Sequence, residues 1–224
     1  MEKLAAIILM GGSSNRFGGP KNKLLCELNN KRVFEYSLDV FASIKEFEML
    51  YVVANKEIKE EVVNYIDEKA YKARVIEGGE TRQDSVEAAL VRMQLNSNYK
   101  VVIHDAARPL VNKDIIFKVL EGLEGENVGG ATTYLPMSDT IAITDQGYIV
   151  NFPNRSKYVQ VQTPQAFWAG PLYNGHHDAE DLNATDDCSL VFESGYYIKL
   201  VEGNKKLHKI TTLEDIKYLE GLLK

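Results

Sequence analysis

The chain has 224 residues, of which 45% are hydrophobic and 26% charged; this is enough for one sizeable core, and we expect a single domain over residues 1–224. The formal net charge of −6 argues against binding nucleic acid or an anionic membrane through the overall field, and no segment approaches the roughly 20 apolar residues that span a bilayer. The two cysteines, Cys26 and Cys188, lie far apart in no metal or redox spacing, which indicates packed thiols in a reducing cytoplasm.

Short apolar segments alternate with amphipathic ones along the chain. Compact apolar runs predict buried strands over residues 3–10, 49–54, 73–79, 100–109, 128–135 and 196–203. Apolar residues at helical spacing predict helices over residues 33–44 and 56–70, one opened by Thr81, one containing residues 115–123 and a last one capped by Thr212. Asp84 and Asp215 stand three residues after these threonines, as in a reciprocal N-terminal cap. Strands that alternate with helices indicate a parallel α/β sheet with right-handed crossovers.

Residues 136–165 interrupt this alternation. Polar and apolar residues alternate there around a turn at Gly147, which predicts a hairpin. Such an excursion covers a ligand or joins a second subunit, whereas a hairpin that extends the sheet of the same domain fits the pattern equally well.

Three unusual loops follow predicted strands, "MGGSSNRFGGPKNK" (10–23), "GGETRQDS" (78–85) and "HDAARP" (104–109). Ligands bind beyond the carboxyl ends of the strands in open α/β sheets. Glycines let backbone N–H groups approach an anion, and Arg16, Lys21 and Lys23 supply local positive charge; the alternative is a solvated surface turn. The first loop matches neither a Walker A motif nor G-x-G-x-x-G, which disfavours a dinucleotide fold.

A family resemblance is carried by "AAIILMGGSSNRFGGPKNKLLCELNNKRVFEYSL", "GGETRQDSV", "VVIHDAARP", "PMSDTI", "QTPQAF", "TDDCSLVFESG" and "VEGNKKLHKITTLEDI", in this order. Together they resemble the 2-C-methyl-D-erythritol 4-phosphate cytidylyltransferases, of the nucleotidyltransferase superfamily. The resemblance implies a Rossmann-like, three-layer α/β fold with a mostly parallel sheet and a β-arm protruding at about residues 136–160. It also implies cytidylyl transfer from CTP to 2-C-methyl-D-erythritol 4-phosphate, with release of pyrophosphate, in the non-mevalonate synthesis of isoprenoid precursors.

Two alternatives remain open at this point. Ribitol-5-phosphate cytidylyltransferases share the fold and most motifs, although "AARP" and "TDD" favour the erythritol enzymes. A non-catalytic nucleotide-binding protein would be expected to lose the cations, yet Arg16, Lys23, Arg155 and Lys209 are all present.

The resemblance implies that Arg16 and Lys23 are the catalytic cations. In "PKNK", Lys21 follows the proline, but counting from Arg16 and from "LLCELNNK" places Lys23 in the family position, and Lys21 is a second candidate phosphate contact. The implied nucleotide-binding residues are Met10, Gly11, Gly12, Gly79, Glu80, Ser85, Asp105 and Ala106. Gly79, Glu80 and Ser85 read cytosine, and Met10 stands where alanine is usual. Mg²⁺ or another divalent cation is expected, held mostly by the triphosphate, with Asp105 as its protein ligand.

The implied acceptor-binding residues are Arg108, Thr140, Arg155, Thr163, Thr185, Asp186 and Lys209. Arg155 and Lys209 hold the acceptor phosphate, and the threonines with Asp186 bind polyol hydroxyls. Arg108 fixes its loop by pairing with a carboxylate or contacts the acceptor, and Arg82 supports its own loop or binds phosphate. The usual Asn-Ile before Lys209 is replaced by Leu207-His208.

In the family, the excursion reaches across a twofold axis. Thr140 and Arg155 would then complete the site of the partner subunit and make a homodimer the functional unit. From the residues alone, a structural ion pair is the alternative for Asp105 and Arg108, and a surface charge is the alternative for Arg155 and Lys209. The stretch His176–Asp178 is predicted to be a solvated loop rather than a metal site, because no companion ligands follow at suitable spacing.

Overall fold

A mostly parallel β-sheet forms the centre of the fold in the computed structural model, which describes residues 2–11, 17–18, 22–180 and 184–223. The strands in these ranges are β1 (Lys3–Met10), β2 (Glu27–Leu28), β3 (Lys31–Arg32), β4 (Phe47–Ala54), β5 (Arg74–Glu77), β6 (Tyr99–Asp105), β7 (Val128–Pro136), β8 (Ile143–Asp145), β9 (Tyr148–Asn151), β10 (Val159–Trp168) and β11 (Tyr197–Glu202). Seven of these described strands form the main sheet in the order β11-β7-β10-β6-β1-β4-β5, while β2 pairs with β3 and β8 with β9.

Strand directions in the main sheet follow the predicted alternation. β1 pairs in parallel with β4 and β6, β4 with β5, and β11 with β7. Only β10, among the described strands of this sheet, runs antiparallel to its neighbours, β6 and β7. The prediction of a Rossmann-like, mostly parallel α/β sheet is confirmed.

Helices cover both faces of the sheet. They are α1 (Val33–Ala42), α2 (Lys59–Glu68), α3 (Arg82–Met93), α4 (Lys113–Glu121), α5 (Ala169–His177), α6 (Asp187–Glu193) and α7 (Leu213–Leu222). Because alternate side chains of a strand point to opposite faces, Ala6 and Ile8 of β1 pack in one core, and Ala5 and Ile7 pack in the other. Side chains of α1, α2, α4 and α7 complete the first core, and those of α3, α5 and α6 complete the second. The three-layer prediction is therefore confirmed.

The hairpin predicted over residues 136–165 is only partly correct. Its tip, β8 and β9, turns at Gly147, whose φ of 86° favours glycine. β10, however, starts at Val159 and belongs to the main sheet. Its polar residues Gln162, Thr163 and Gln165 are buried, so the strand has the polar pattern of an exposed hairpin although it lies in the interior.

The termini of several elements agree with the predicted caps. Thr81 Oγ1 accepts the Asp84 backbone N–H at 3.0 Å, and Asp84 Oδ2 accepts the Thr81 N–H at 2.9 Å, at the start of α3. The same reciprocal cap is found between Thr212 and Asp215 at α7. β6 ends at Asp105 rather than at residue 109, because the Arg108 N–H donates to the Asp105 carbonyl at 2.9 Å and turns the chain.

The region after β10 contains the helices α5 and α6, which the sequence analysis did not predict. His176 lies in α5 and is buried, so the prediction of a solvated loop is wrong for this residue. No helix in the described ranges is both long and apolar enough to cross a bilayer.

Candidate active site

The carboxyl ends of β1, β5 and β6 open into a cavity of about 170 Å³. All three loops singled out in the sequence contribute to it, together with the segment before α7. Its lining residues are Leu9, Gly11, Lys23, Leu24, Glu80, Thr81, Arg82, Ser85, Asp105, Ala107 and Lys209. Positive and negative side chains from distant parts of an acidic chain therefore meet at one edge of the sheet.

The Gly-rich loop contributes Gly11 and Lys23 to this cavity. Gly12, Arg16 and Lys21 lie outside the described residues. Lys23 begins a 3₁₀ helix whose first turn is capped by Asn22, and Lys23 Nζ donates to the carbonyl of Ile210 at 3.0 Å. This bond joins the first loop to the segment that carries Lys209.

The loop predicted to read cytosine packs tightly on the first turn of α3. A Cβ on Gly79 would lie 2.2 Å from the Cβ of Asp84, so this approach requires glycine. Ser85 is buried, lines the cavity and donates its hydroxyl to the Thr81 carbonyl at 2.9 Å. Glu80 lines the same cavity from an exposed position.

Met10 and Ala106 contribute to this edge of the sheet through their backbones. Met10 ends β1, and its side chain is buried in the core. The Ala106 N–H donates to the carbonyl of Leu9 at 3.0 Å, which keeps the ends of β1 and β6 together under the cavity.

Asp105 lies between two cations. Lys209 Nζ donates to Asp105 Oδ2 at 2.7 Å, and Arg82 Nε lies 3.6 Å from Asp105 Oδ1. Burial alone would raise the pKa of Asp105, but the charges of Lys209 and Arg82 outweigh it and hold the pKa well below its usual range. Asp105 is therefore a carboxylate at neutral pH.

Arg82 extends this arrangement into the protein. Its Nη2 lies 2.7 Å from Asp187 Oδ2, and His176 Nε2 donates to Asp187 Oδ1 at 3.0 Å. Burial opposes the charge of Arg82, but Asp187 and Asp105 raise its pKa above the usual range. Asp187, Arg82, Asp105 and Lys209 thus form one ion-pair chain that reaches the cavity, and His176 of α5 joins its buried end through a hydrogen bond. Arg82 was predicted to support its loop or bind phosphate, and no pattern in the sequence pointed to Asp187 or His176 as its neighbours.

A second cavity, of about 600 Å³, adjoins the first. Among its lining residues are Arg108, Ser138, Gln160, Gln162, Lys205, His208 and Lys209. Lys209 lines both cavities and stands where they meet. Arg108 Nη1 donates to the Leu207 carbonyl at 2.7 Å, so this guanidinium fixes its loop through a carbonyl, while Asp105 and Asp186 act on its charge from nearby.

The excursion approaches the second cavity from outside. Arg155 is exposed, and its Nη1 donates to the carbonyl of Ser138 at 2.6 Å. Thr140 is also exposed. Neither residue lines the first cavity of its own protomer.

Three further predicted acceptor residues lie on β10 or at α6. Asp186 is the N-cap of α6 and accepts a hydrogen bond from Gln165 Nε2 at 2.7 Å. Thr185, just before it, is exposed. Thr163 is buried, and its hydroxyl is bonded to the Asp105 N–H and to His104.

The departure at Leu207-His208 is accommodated at the start of α7. His208 Nε2 donates to Asp215 Oδ1 at 2.6 Å, and the ring packs edge-on against Tyr218 at 5.1 Å. Leu207 and Ile210 are buried, so the segment that carries Lys209 is held on both sides.

Comparisons with known proteins identify the family of this chain. The family model described as "IspD: 2-C-methyl-D-erythritol 4-phosphate cytidylyltransferase" matches residues 4–224. The protein of that name from Thermosipho africanus is 36% identical over 217 residues, covering 95% of each chain, and that from Dictyoglomus thermophilum is 36% identical over 231 residues, covering 100% of this chain and 97% of the other. The crystal structure of 4-diphosphocytidyl-2C-methyl-D-erythritol synthase from Anaerococcus prevotii superposes with a TM-score of 0.82 at 28% identity, covering 99% of this chain and 98% of that one.

The match extends over nearly the whole chain in sequence and in fold. The chain belongs to the 2-C-methyl-D-erythritol 4-phosphate cytidylyltransferase (IspD) family.

Proposed function

We propose that this chain transfers the cytidylyl group of CTP to 2-C-methyl-D-erythritol 4-phosphate, giving 4-diphosphocytidyl-2-C-methyl-D-erythritol and pyrophosphate. The reaction belongs to non-mevalonate isoprenoid synthesis. Family membership supports the reaction, and one observation carries it at the level of the site. Two cavities, one formed by the nucleotide loops and one bordered by the excursion, meet at Lys209.

The transfer is an in-line displacement at the α-phosphorus of CTP. An oxygen of the acceptor phosphate forms the new P–O bond, and the bond to the β-phosphate oxygen breaks, so pyrophosphate leaves. With a second pKa near ~6, the acceptor phosphate is already ionised at neutral pH and requires no general base. This chemistry depends on positioning and on stabilising the charge of the transferring phosphoryl group.

The cations of the first cavity supply that stabilisation. Lys23, with Arg16 from the same loop, acts on the triphosphate. Gly11, Gly12, Met10 and Ala106 supply backbone positions beside the nucleotide, and Gly79, Glu80 and Ser85 select cytosine. The tight packing of Gly79 on α3 supports this last role, because a site built on a rigid loop can exclude larger bases by shape.

A divalent cation, Mg²⁺ or another, fits this donor set. In the described ranges, no group of three or more His, Cys, Asp or Glu side chains is arranged to hold a metal ion, whereas Asp105 offers one ionised carboxylate at the cavity. Mg²⁺ typically binds one or two carboxylates together with substrate phosphates, so Asp105 and the triphosphate would hold it. When bound, the cation would neutralise phosphate charge.

The acceptor occupies the second cavity in this proposal. Lys209 and Arg155 hold its phosphate, Arg108 lines the cavity, and Thr140, Thr163, Thr185 and Asp186 surround the polyol. Arg155 and Thr140 come from the partner subunit of a homodimer. Support comes from the excursion itself, whose Tyr148, Ile149, Val150 and Phe152 are all more than half exposed, Tyr148 by 77%. An apolar surface of this kind marks an interaction site.

We also propose that residues 1–224 form one domain and that the protein is cytoplasmic. The two cysteines, both within the described residues, are not joined by a disulfide, and Cys188 is buried. This is the usual state of cysteines in a reducing compartment.

The test is pyrophosphate release from CTP and Mg²⁺ with each acceptor offered separately. Release with 2-C-methyl-D-erythritol 4-phosphate and little with ribitol 5-phosphate is the expected result. A preference for ribitol 5-phosphate would overturn the proposed acceptor, and no pyrophosphate release with either acceptor would overturn the proposed transferase activity.

A further inference from the structure

We propose that His104 is a positioning residue that holds the nucleotide half and the acceptor half of the site in register, and this proposal rests on the proposed function. His104 is the residue before Asp105 at the end of β6. It lines neither cavity. It acts through two hydrogen bonds, one at each nitrogen of its ring, and these bonds point in opposite directions.

The imidazole is enclosed in the interior. Its exposed fraction is 0%, and Phe41 of α1 stacks on the ring with centroids 5.5 Å apart and planes inclined by 28°. This contact fixes the plane of the ring. Nδ1 lies 3.1 Å from Thr163 Oγ1, and Nε2 lies 3.0 Å from the carbonyl oxygen of Arg108.

These partners determine the protonation state. The carbonyl of Arg108 only accepts, so Nε2 carries the proton. Nδ1 of the neutral ring is then an acceptor, and the hydroxyl of Thr163 donates to it. The same hydroxyl oxygen accepts the backbone N–H of Asp105 at 3.0 Å.

The Nδ1 side therefore supports the nucleotide half. Through Thr163, it fixes the backbone of Asp105, whose carboxylate is bonded to Lys209 and lies beside Arg82. The Nε2 side supports the acceptor half, because it fixes the carbonyl of Arg108. The guanidinium of Arg108 lines the second cavity and holds the Leu207 carbonyl, two residues before Lys209.

A neutral ring is compatible with its charged neighbours. Asp105, Arg108 and Lys209 are the charged groups that act on it. The ring is fully buried, and the Thr163 hydroxyl and the Arg108 carbonyl satisfy its two nitrogens without a second proton. The neutral ring thus completes the hydrogen bonds that a positioning role requires.

Two amide replacements separate the two sides. In His104→Asn, the amide oxygen can take the place of Nδ1 and keep the bond from Thr163, while the bond to Arg108 is lost. In His104→Gln, the amide nitrogen can take the place of Nε2 and keep the bond to Arg108, while the bond to Thr163 is lost. Kinetic constants are measured for both substrates, with near-ultraviolet circular dichroism as a check of folding.

We expect His104→Asn to raise KM for the acceptor about tenfold, with a smaller change in KM for CTP. We expect His104→Gln to raise KM for CTP or to lower kcat about tenfold, with a smaller change in KM for the acceptor. Equal changes in both variants, or no change, would show that His104 has only a structural role. If the amide variants do not fold, the tautomer of the ring in the wild-type protein, measured by ¹⁵N chemical shifts, decides whether the proposed hydrogen bonds exist.

A second measurement does not depend on activity. The ¹⁵N chemical shifts of the His104 ring in the wild-type protein report its tautomer, and we expect a protonated Nε2 and a bare Nδ1 from pH 6 to 8. A protonated Nδ1 would overturn the proposal. A wild-type protein that has this tautomer but releases no pyrophosphate would overturn the proposed function and leave the hydrogen-bond assignment standing.

Discussion

Lys209 Nζ donates to Asp105 Oδ2 at 2.7 Å, and this bond lies where the two cavities meet. The two side chains come from the end of β6 and from the segment before α7, so the pair joins residues 104 positions apart in the chain at one edge of the sheet. Both charges are needed elsewhere in the proposed reaction, Asp105 for the divalent cation and Lys209 for the acceptor phosphate. Binding of the two substrates therefore redistributes charges that are already gathered at this point.

Replacing Lys209 by Gln tests the acceptor side of this pair. A charge-assisted hydrogen bond contributes about 1.5–3 kcal/mol, so we expect Lys209→Gln to raise KM for the acceptor about tenfold to a hundredfold. Steady-state kinetics with varied acceptor at saturating CTP measures this. Lys206→Gln is the control, because Lys206 is exposed in the same segment and lines neither cavity. Equal effects of the two substitutions would argue for a general field rather than a phosphate contact.

Replacing Lys23 by Ala tests the proposed catalytic cation. Loss of one charge that stabilises the transferring phosphoryl group typically lowers kcat by about a hundredfold or more, and we expect the fold to be largely preserved because Lys23 is only half-buried. Lys113→Ala is the matched control, since Lys113 Nζ also donates to a backbone carbonyl, that of Ser43 at 3.1 Å, but away from the site. An unchanged kcat in Lys23→Ala would transfer the role to Lys21 or remove it.

Replacing Asp187 by Asn tests the buried end of the ion-pair chain. The isosteric amide removes a charge that faces both Arg82 and His176, and breaking a buried pair in this way costs about 3–5 kcal/mol. The free energy of unfolding in urea measures the loss. Asp67→Asn, at an exposed position of α2, should change it little. If Asp187→Asn and the wild type have a similar stability, solvent or a rearranged partner must compensate the positive charge of Arg82.

Local patterns predicted much of this fold. The apolar run of β1 and the Thr81–Asp84 cap depend on residues close in sequence, and both are found as predicted. α5 was missed because Gly170, Pro171 and Gly175 disfavour a helix, although packing stabilises it. Gly175 lies so close to α6 that a Cβ would be 2.9 Å from the Leu190 carbonyl carbon.

The site was predictable only in part, because local patterns do not reveal contacts between distant residues. The motifs predicted that Lys23, Ser85 and Asp105 share a site, and all three line one cavity. The contacts that define their surroundings join residues far apart in the chain, such as His104 to Thr163 and Arg82 to Asp187. Nothing in the sequence around His104 indicates which side chain faces each ring nitrogen, because the answer depends on how β10 enters the sheet.

Stability at mildly acidic pH tests the burial of neutral His104. Its pKa is about 4 in the folded state against 6.5 for an ordinary histidine, so between these values the unfolded chain binds the proton and the folded chain does not. The free energy of unfolding should therefore fall by about 3 kcal/mol in total as the pH drops from 6.5 to 4. Above pH 6.5 the group has no effect. The pKa values of Asp105 and Asp187 are lowered, so their contributions to the free energy of unfolding are lost only below this pH range.

Urea unfolding at several pH values measures this slope. His104→Gln has no ring to titrate and should lose less stability than wild type over the same range, whatever its stability at neutral pH. Parallel slopes for wild type and His104→Gln would show that the ring is protonated in the folded state.

The last prediction concerns the partner subunit. Arg155 is exposed and donates to the Ser138 carbonyl of its own protomer, and we expect Arg155→Ala to raise KM for the acceptor with little effect on CTP affinity. Lys157→Ala, in the same 3₁₀ turn, is the control.

If Arg155 completes the site of the partner, a dimer that combines a Lys23→Ala subunit with an Arg155→Ala subunit has one site with both lesions and one with neither. At acceptor concentrations well below KM, where both variants are strongly impaired, random mixing should then restore about a quarter of wild-type activity. If Arg155 served its own protomer, no intact site could form in any dimer, and mixing would restore nothing.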